Sequence, residues 1–212
     1  MIGRHRNTRT MRLMVILALL SCAPLRAQDR MPPIPADKMT EAQTKAAAEF
    51  AAARNSAPTG PFGVLLRVPE LMDLAFKWRQ HVQSRSALDQ RLTEFVILIS
   101  ARHWTQQYEW NAHQPAAIKA GLKPEIVAAV ADGRRPAQMA EDEAVLYDVC
   151  LELQRNHSVS DATYARALAK VGEAGIVETA SIAGYYTLLA MVMNTARTPL
   201  PAGAKPPLVA FP

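Results

Sequence analysis

The amino-acid sequence predicts an all-α protein, and three observations support this fold class. Apolar residues recur at helical spacing along most of the 212-residue chain. No segment alternates apolar and polar residues between Asn-Gly or Asp-Gly turns, which is the pattern of a β-hairpin. No repeat of fixed length is present, so the helices are not the units of a solenoid. The length suffices for one domain with its own core, and we expect a single helical domain.

Residues 1–27 have the pattern of a secretory signal peptide. Four arginines precede the apolar run Leu13–Leu20, which is too short to span a bilayer comfortably. Cleavage after Ala27 would release a soluble protein into the periplasm or the medium. Alternatively, Leu19–Cys22 resembles a bacterial lipobox, in which the cysteine becomes the lipidated first residue. We therefore expect an exported protein that meets a membrane only if Cys22 is lipidated.

The net charge of +5 gives no indication of a nucleic-acid partner. Five of the 24 lysines and arginines lie before residue 28, where there is no acidic residue. The basic residues that remain match the 19 Asp and Glu in number, so the rest of the chain is formally neutral. A phosphate backbone would find no basic surface there, and we expect no nucleic-acid partner.

The two cysteines, Cys22 and Cys150, leave no internal disulfide if Cys22 is removed or lipidated. Cys150 stands at helical spacing from Leu146 and Leu153. This spacing favours a buried, inert thiol. A redox role for Cys150 is the alternative.

The helical domain is expected over residues 37–198, after a Pro-rich spacer at residues 28–36. Its first helix covers Asp37 to about Arg54, with Thr40 as a candidate N-cap. Residues 59–63 contain Gly, Pro and Gly and are predicted as a loop.

The next two helices differ in their apolar pattern. The helix Pro69–Ser84 begins with proline in its first turn and places five apolar residues on one stripe: Leu71, Leu74, Ala75, Trp78 and Val82. The helix Leu88–Arg102 is apolar nearly all round after Glu94, which indicates a central position.

The second half of the domain is also predicted to be helical. Gly121 ends the helix that follows His103, and Ser160 caps a later one. The predicted helices are His103 to Ala120, Pro124 to Asp132, Glu141 to Asn156, Asp161 to Val171 and Val177 to Thr195. Residues 199–212 form a Pro-rich tail without a helical pattern, which either wraps a neighbour or is mobile.

The segment from Glu94 to His113 contains the ionisable groups that are best suited to proton-transfer chemistry. Glu109 and His113 stand four residues apart and share one helix face. A straight helix would put Glu94 roughly 28 Å from His113, too far for joint proton transfer. The three can cooperate only if the chain turns between Arg102 and Gln106, where Thr105 is a candidate N-cap.

Glu109 and His113 also have interpretations that involve no catalysis. Glu109 and His113 could be an exposed pair that stabilises a helix by a few tenths of a kcal/mol. They could also hold a metal ion, but a third ligand is not evident, so we expect neither a metal nor a cofactor. The three other histidines of the domain, at 81, 103 and 157, have no obvious partner in the sequence.

The same segment resembles the carboxymuconolactone decarboxylase family, which includes the alkylhydroperoxidase D-like proteins. That family has a Glu near the start of an apolar helix, then after eleven residues a Cys-x-x-Cys pair, then His four beyond. Glu94 and His113 match the Glu and the His, whereas Gln106 and Glu109 stand at the cysteine positions. The decarboxylase branch likewise lacks the pair.

The resemblance implies a helical bundle of the alkylhydroperoxidase D-like type with about seven helices. It also implies a trimer or hexamer, assembled through the apolar third and last helices. The activity it implies is acid–base chemistry on a small carboxylated lactone or a related organic acid. His113 would be the general acid/base, Glu109 would orient and tune it, and Glu94 would relay protons.

Two alternatives stay open. Alkylhydroperoxidase-type peroxiredoxin activity occurs in the family, but Gln106 and Glu109 cannot act as nucleophilic and resolving thiols. The other alternative is a non-catalytic helical protein of the cell envelope that binds a small ligand.

Overall fold

A computed structural model of the chain describes residues 29–209. Over this range it contains eight α-helices and no strand, so the predicted all-α class is confirmed. The predicted signal peptide lies outside the described residues, and export stays a prediction. The helices are α1 (Glu41–Arg54), α2 (Pro61–Leu65), α3 (Pro69–Ser84), α4 (Gln90–His103), α5 (Gln107–Lys119), α6 (Pro124–Ala131), α7 (Glu141–Asn156) and α8 (Asp161–Ala196).

The first helix begins later than predicted, and the second was missed. Residues 36–38 form a separate 3₁₀ turn, so α1 starts at Glu41 rather than at Asp37. Its predicted cap is confirmed, because Thr40 and Gln43 exchange side-chain to backbone hydrogen bonds of 3.2 and 3.0 Å. The predicted loop at 59–63 is wrong from Pro61 onward, where proline in the first turn begins α2.

The apolar stripe predicted for α3 is only partly the buried face. Ala75 and Val82 are buried, but Leu71, Leu74 and Trp78 are 38 to 63% exposed. The helix packs against α1, α2 and α8 with a face centred closer to Ala75. Trp78 lies at the edge of that face, where its indole N–H donates to Ser181.

α4 is the central helix of the bundle, as its apolar sequence predicted. Every residue from Leu92 to Arg102 is buried, and the helix lies against α5, α7 and α8. Side chains such as Leu98 are completely enclosed. Truncating such a side chain to alanine typically lowers the free energy of unfolding by about 2–5 kcal/mol. Substitutions in α4 should therefore be strongly destabilising.

α8 contains the two helices predicted separately for the C-terminal part. Gly172, with φ of 66° and ψ of 178°, interrupts the helical backbone where the sequence predicted a break. The helix continues directly after Gly172, whereas the second helix was predicted to begin at Val177. α8 is long and apolar enough to cross a membrane, but the core helices of soluble proteins can be equally long and apolar. In this fold, 44% of the most apolar 18-residue window of α8 is buried.

Both terminal segments pack on their own chain. The backbone N–H of Arg30 donates to the carbonyl of Ala196 at 2.8 Å. In the tail, Leu208 is buried, and its backbone makes hydrogen bonds of 2.8 and 2.9 Å with the Gln107 side chain. Buried Leu208 and these hydrogen bonds thus place residues 199–209 on their own chain, and a contact of the tail with a neighbour stays a prediction.

Candidate active site

The turn between α4 and α5 determines where the ionisable side chains meet. After α4 ends at His103, Thr105 takes a left-handed conformation with φ of 45°. The Gln106 side chain then accepts a hydrogen bond of 2.7 Å from the Tyr108 N–H and caps α5. The predicted turn is confirmed, but Thr105 is not the cap. Its left-handed backbone differs from the extended conformation that an N-cap adopts.

Because α5 runs back along α4, side chains that are 19 positions apart lie side by side. Nδ1 of His113 is 2.7 Å from Oε2 of Glu94. Nε2 of the same ring is 3.4 Å from Oε2 of Glu109. Gln90, one turn before Glu94, donates to Oε1 of Glu94 at 2.8 Å. The structure thus brings all three predicted site residues together around one imidazole.

The imidazole is fixed in a nearly buried position. The side chains of Glu94 and Glu109 are 4 and 5% exposed, and that of His113 is 13% exposed. The ring of Tyr186 meets the imidazole edge-on at 5.0 Å between centroids. An exposed helix-stabilising pair is therefore not what Glu109 and His113 form.

Two opposing effects set the pKa of His113. Burial acts to lower it, because a charged imidazolium loses hydration. The hydrogen bonds and negative charges of Glu109 and Glu94 outweigh burial and raise the pKa to about 9. The imidazole is therefore protonated at neutral pH. Such a group can give a proton to a substrate and recover it from solvent.

One carboxylate oxygen of Glu109 makes no hydrogen bond within the described residues. Its Oε1 is buried and has no hydrogen-bond partner within residues 29–209. Leaving a buried polar atom without a partner typically costs about 1–3 kcal/mol. A bound water or ion typically satisfies such an atom.

A cavity of about 170 Å³ opens onto Glu109 and His113. Glu94 does not line it and lies behind the imidazole. The cavity wall includes Arg54, Arg79, Tyr108 and Tyr186, which belong to α1, α3, α5 and α8. Arginines on the wall and an imidazolium beside them suit a small anionic molecule.

Arg79 is the cation placed deepest in this wall. Burial lowers its pKa, the nearby charge of Arg54 acts in the same direction, and the charge of Glu109 opposes both. Within residues 29–209 neither arginine has a carboxylate within ion-pair distance. The guanidinium of Arg79 is thus partly desolvated without an ion-pair partner among these residues, as expected of a group that receives an anion.

Sequence reasoning missed Arg79, Tyr186 and the support that Gln90 gives Glu94. One signal could have revealed Arg79, because it stands at helical spacing from the buried residues Ala75 and Val82. An arginine on the inner face of a helix calls for an explanation. Tyr186 is buried, which raises the pKa of its phenol well above the usual value, with the charge of Glu109 adding to the effect. It therefore presents a neutral ring and hydroxyl.

The remaining histidines and cysteine do not enter this site. His81, for which the sequence indicated no partner, forms a hydrogen bond with Glu178 of α8. The predicted burial of Cys150 is confirmed, and burial raises the pKa of its thiol to about 12. Within residues 29–209, no group of three or more His, Cys, Asp or Glu side chains has the arrangement of a metal site.

Comparisons with known proteins support the fold. No family model matches the chain, and the search of curated proteins gave no match. Among solved structures, the chain is similar to the alkylhydroperoxidase AhpD core of an uncharacterized peroxidase-related protein from Ralstonia eutropha JMP134. The TM-score is 0.67 at 16% identity, and the match covers 82% of this chain and 92% of the other. The protein thus has the all-helical AhpD-like fold.

Proposed function

We propose that this protein is an enzyme that transfers protons to or from a small organic acid, in the manner of the carboxymuconolactone decarboxylases. One observation carries the proposal: a nearly buried imidazole, His113, is held between Glu94 and Glu109 at the edge of a cavity with two arginines. Two carboxylates and an imidazole arranged around one cavity are the groups that acid–base catalysis requires.

The chemistry that we propose is proton-coupled loss of carbon dioxide. When the bond to the departing carboxylate breaks, its electron pair stays on the substrate carbon, and that carbon takes a proton. His113 is protonated at neutral pH and supplies the proton from Nε2, the nitrogen on the side of Glu109. Solvent then reprotonates the imidazole, so no oxidant or reductant is consumed.

The geometry favours other roles for Glu94 and Glu109 than those that the family resemblance implied. Glu94 makes the short contact to Nδ1, lies off the cavity and is itself held by Gln90, so we propose that it positions and charges the imidazole. Glu109 lines the cavity with Oε2 3.4 Å from Nε2, so we propose that it is the carboxylate beside the proton that His113 gives to substrate. These roles replace the relay proposed for Glu94 and the orienting role proposed for Glu109.

The test is a turnover screen with carboxylated lactones and related organic acids, in which carbon dioxide release is measured. His113→Gln should reduce turnover at least about 100-fold, since general acid–base catalysis contributes that much. His81→Gln is the matched control, because His81 also pairs with a glutamate but lies off the cavity. Turnover that survives His113→Gln would rule out the assignment. Binding of acids without any turnover by the unaltered protein would favour the non-catalytic ligand-binding alternative.

A thiol peroxidase is the alternative suggested by the peroxidase-related structure to which the fold is similar. That chemistry needs a reactive thiolate. At the two positions where the family places cysteines, the site has Gln106, which donates to Asn194 at 2.8 Å, and Glu109. Cys150 has a pKa near 12 and does not line the cavity. Acid–base chemistry is therefore better supported.

We also propose that the chain forms a homo-oligomer, although through only one of the two helices first expected. α4 is buried from Leu92 to Arg102 and offers no surface to a second copy over that stretch. α8 does, because Val177 and Met191 are 66 and 46% exposed. If α8 forms the contact, Val177→Glu should lower the mass measured by light scattering, and an unchanged mass would exclude Val177 from the interface.

A further inference from the structure

A second cavity, of about 410 Å³, lies beside the one that contains Glu109 and His113. Its walls come from the two terminal segments and from α2, with mainly apolar side chains such as Met31, Val64 and Leu200. We refer to the cavity lined by these three residues as the terminal chamber. Volumes of about 300–1,000 Å³ are usual for small-molecule sites. The 170 Å³ cavity falls below that range and the terminal chamber within it.

The walls of the terminal chamber are fastened to the fold. Arg30 bonds through its backbone to Ala196 at 2.8 Å and through its side chain to Thr195 at 3.3 Å, which ties the N-terminal segment to the end of α8. Arg67 donates to the carbonyls of Pro32 at 2.7 Å and Gly63 at 3.1 Å, which ties the same segment to α2. The chamber is therefore a built cavity and not a gap between loose ends.

The two cavities share a wall formed by Thr59 and Tyr108. The ring of Tyr108 rests on Gly60, where an added Cβ would come within 2.5 Å of the ring. Gly60 has φ of 56°, a conformation that side chains with a Cβ rarely adopt. Glycine at this position thus allows the ring to stand between the cavities, and a ligand that extends past it would occupy both.

Charge determines which end of such a ligand lies where. The arginines Arg54 and Arg79 line the smaller cavity, whereas among residues 29–209 Asp29 is the charged residue that lines the terminal chamber. A carboxylate would be repelled from the chamber and attracted to the arginines. The chamber wall also includes Thr198, whose hydroxyl oxygen is buried and has no hydrogen-bond partner within residues 29–209.

From this arrangement we infer that the substrate is an amphipathic carboxylic acid whose anionic end lies at Arg79 and whose apolar part passes Tyr108 into the terminal chamber. The anionic half of this inference rests on the proposed function, whereas the apolar half rests on the chamber alone. The apolar part distinguishes this substrate from a small, fully polar lactone, which would fit in the smaller cavity alone.

The experiment is titration calorimetry with straight-chain alkanoates from butanoate to decanoate, at neutral pH. Burying a methylene group is worth roughly 0.8 kcal/mol, so affinity should rise about threefold to fourfold per carbon until the chamber is full. Leu200→Trp, on a non-helical segment, places an indole in the chamber and should weaken decanoate binding at least tenfold while changing butanoate binding less than twofold. Met31→Trp tests the opposite wall in the same way.

Leu168→Trp is the matched control, since Leu168 is 41% exposed and lines neither cavity. Affinities that do not depend on chain length, or that survive both Leu200→Trp and Met31→Trp, would overturn the inference while leaving the proton-transfer function intact. Conversely, a chain-length dependence that both variants abolish supports the chamber even if His113→Gln were found to keep full turnover, so the two proposals fail separately.

Discussion

His113 and Glu94 face each other from neighbouring antiparallel helices, with Nδ1 2.7 Å from the carboxylate oxygen. The contact connects the helix at the centre of the core to a helix that lines the cavity. Because Glu94 also accepts from Gln90, its orientation is fixed on both oxygens. The core therefore fixes the position of the imidazole, and Glu109 and Glu94 together raise its pKa.

The stability of the protein should depend on the charge of His113. Its pKa rises from 6.5 in the unfolded chain to about 9 in the fold. A raised pKa contributes stability that is fully present below pH 6.5 and is lost as the pH rises through 9. Between pH 6 and 9.5 the free energy of unfolding should fall by about 2–3 kcal/mol more in the unaltered protein than in His113→Gln. Parallel curves in urea denaturation would contradict the proposed coupling.

The charge of His113 should in turn depend on Glu94. Glu94→Gln keeps the shape of the side chain but removes its negative charge, so the pKa of His113 should fall below about 9. The ring-proton resonances of His113 in NMR spectra report this pKa directly. The matched control is Glu178→Gln, which alters the other Glu–His pair of the bundle and should leave the His113 titration unchanged. An unaltered titration in Glu94→Gln would show that Glu94 does not charge the ring.

Arg79 should contribute to the binding of organic anions. Arg79→Gln removes a charged hydrogen-bond donor, an interaction typically worth about 1.5–3 kcal/mol, so KM for an acidic substrate should rise about 10- to 100-fold. A smaller change in kcat is expected, because the arginine binds the anion before and during the reaction. Arg134→Gln is the control, since Arg134 is exposed in a loop beside Asp132 and does not line the cavity. Equal KM values for both variants would exclude Arg79 from binding.

Cys150 should resist modification as long as the protein is folded. It is fully buried, and its pKa of about 12 leaves almost no thiolate at neutral pH. Treatment with iodoacetamide followed by mass spectrometry of the peptide that contains Cys150 should detect the label only after denaturation. In addition, Cys150→Ala should keep full activity and lose about 1–2 kcal/mol of stability. Rapid labelling of the native protein would reopen a redox role.

Two glycines of α8 should respond oppositely to the same substitution. Gly172 has φ of 66°, so Gly172→Ala should destabilise the protein by about 1–2 kcal/mol through backbone strain, although the added methyl meets no atom within 4 Å. Gly184 lies in regular helix with equally open space, and Gly184→Ala should stabilise by about 0.5–1 kcal/mol. Thermal denaturation of the two variants measures the contrast. A stabilising Gly172→Ala would show that the kink is not required.

Much of the helical architecture could be predicted because it depends on local patterns. The capping box of Thr40, the prolines that begin α3 and α6, and the apolar run of α4 each act within a few residues. The errors came where local patterns are weak. α2 has five residues, too few for a periodic pattern, and the tail holds its position through Gln107, which is distant in sequence.

For the site, the sequence by itself determined the chemistry of the groups: two carboxylates, one imidazole and no cysteine at positions 106 and 109. It also indicated that these groups can act together only if the chain turns near Thr105, because a straight helix would separate Glu94 from His113. Which carboxylate contacts which nitrogen was decided only by tertiary structure, since it depends on the register between α4 and α5. The same holds for Arg79, Tyr186 and the terminal chamber. These features combine elements far apart along the chain, whose packing no local pattern records.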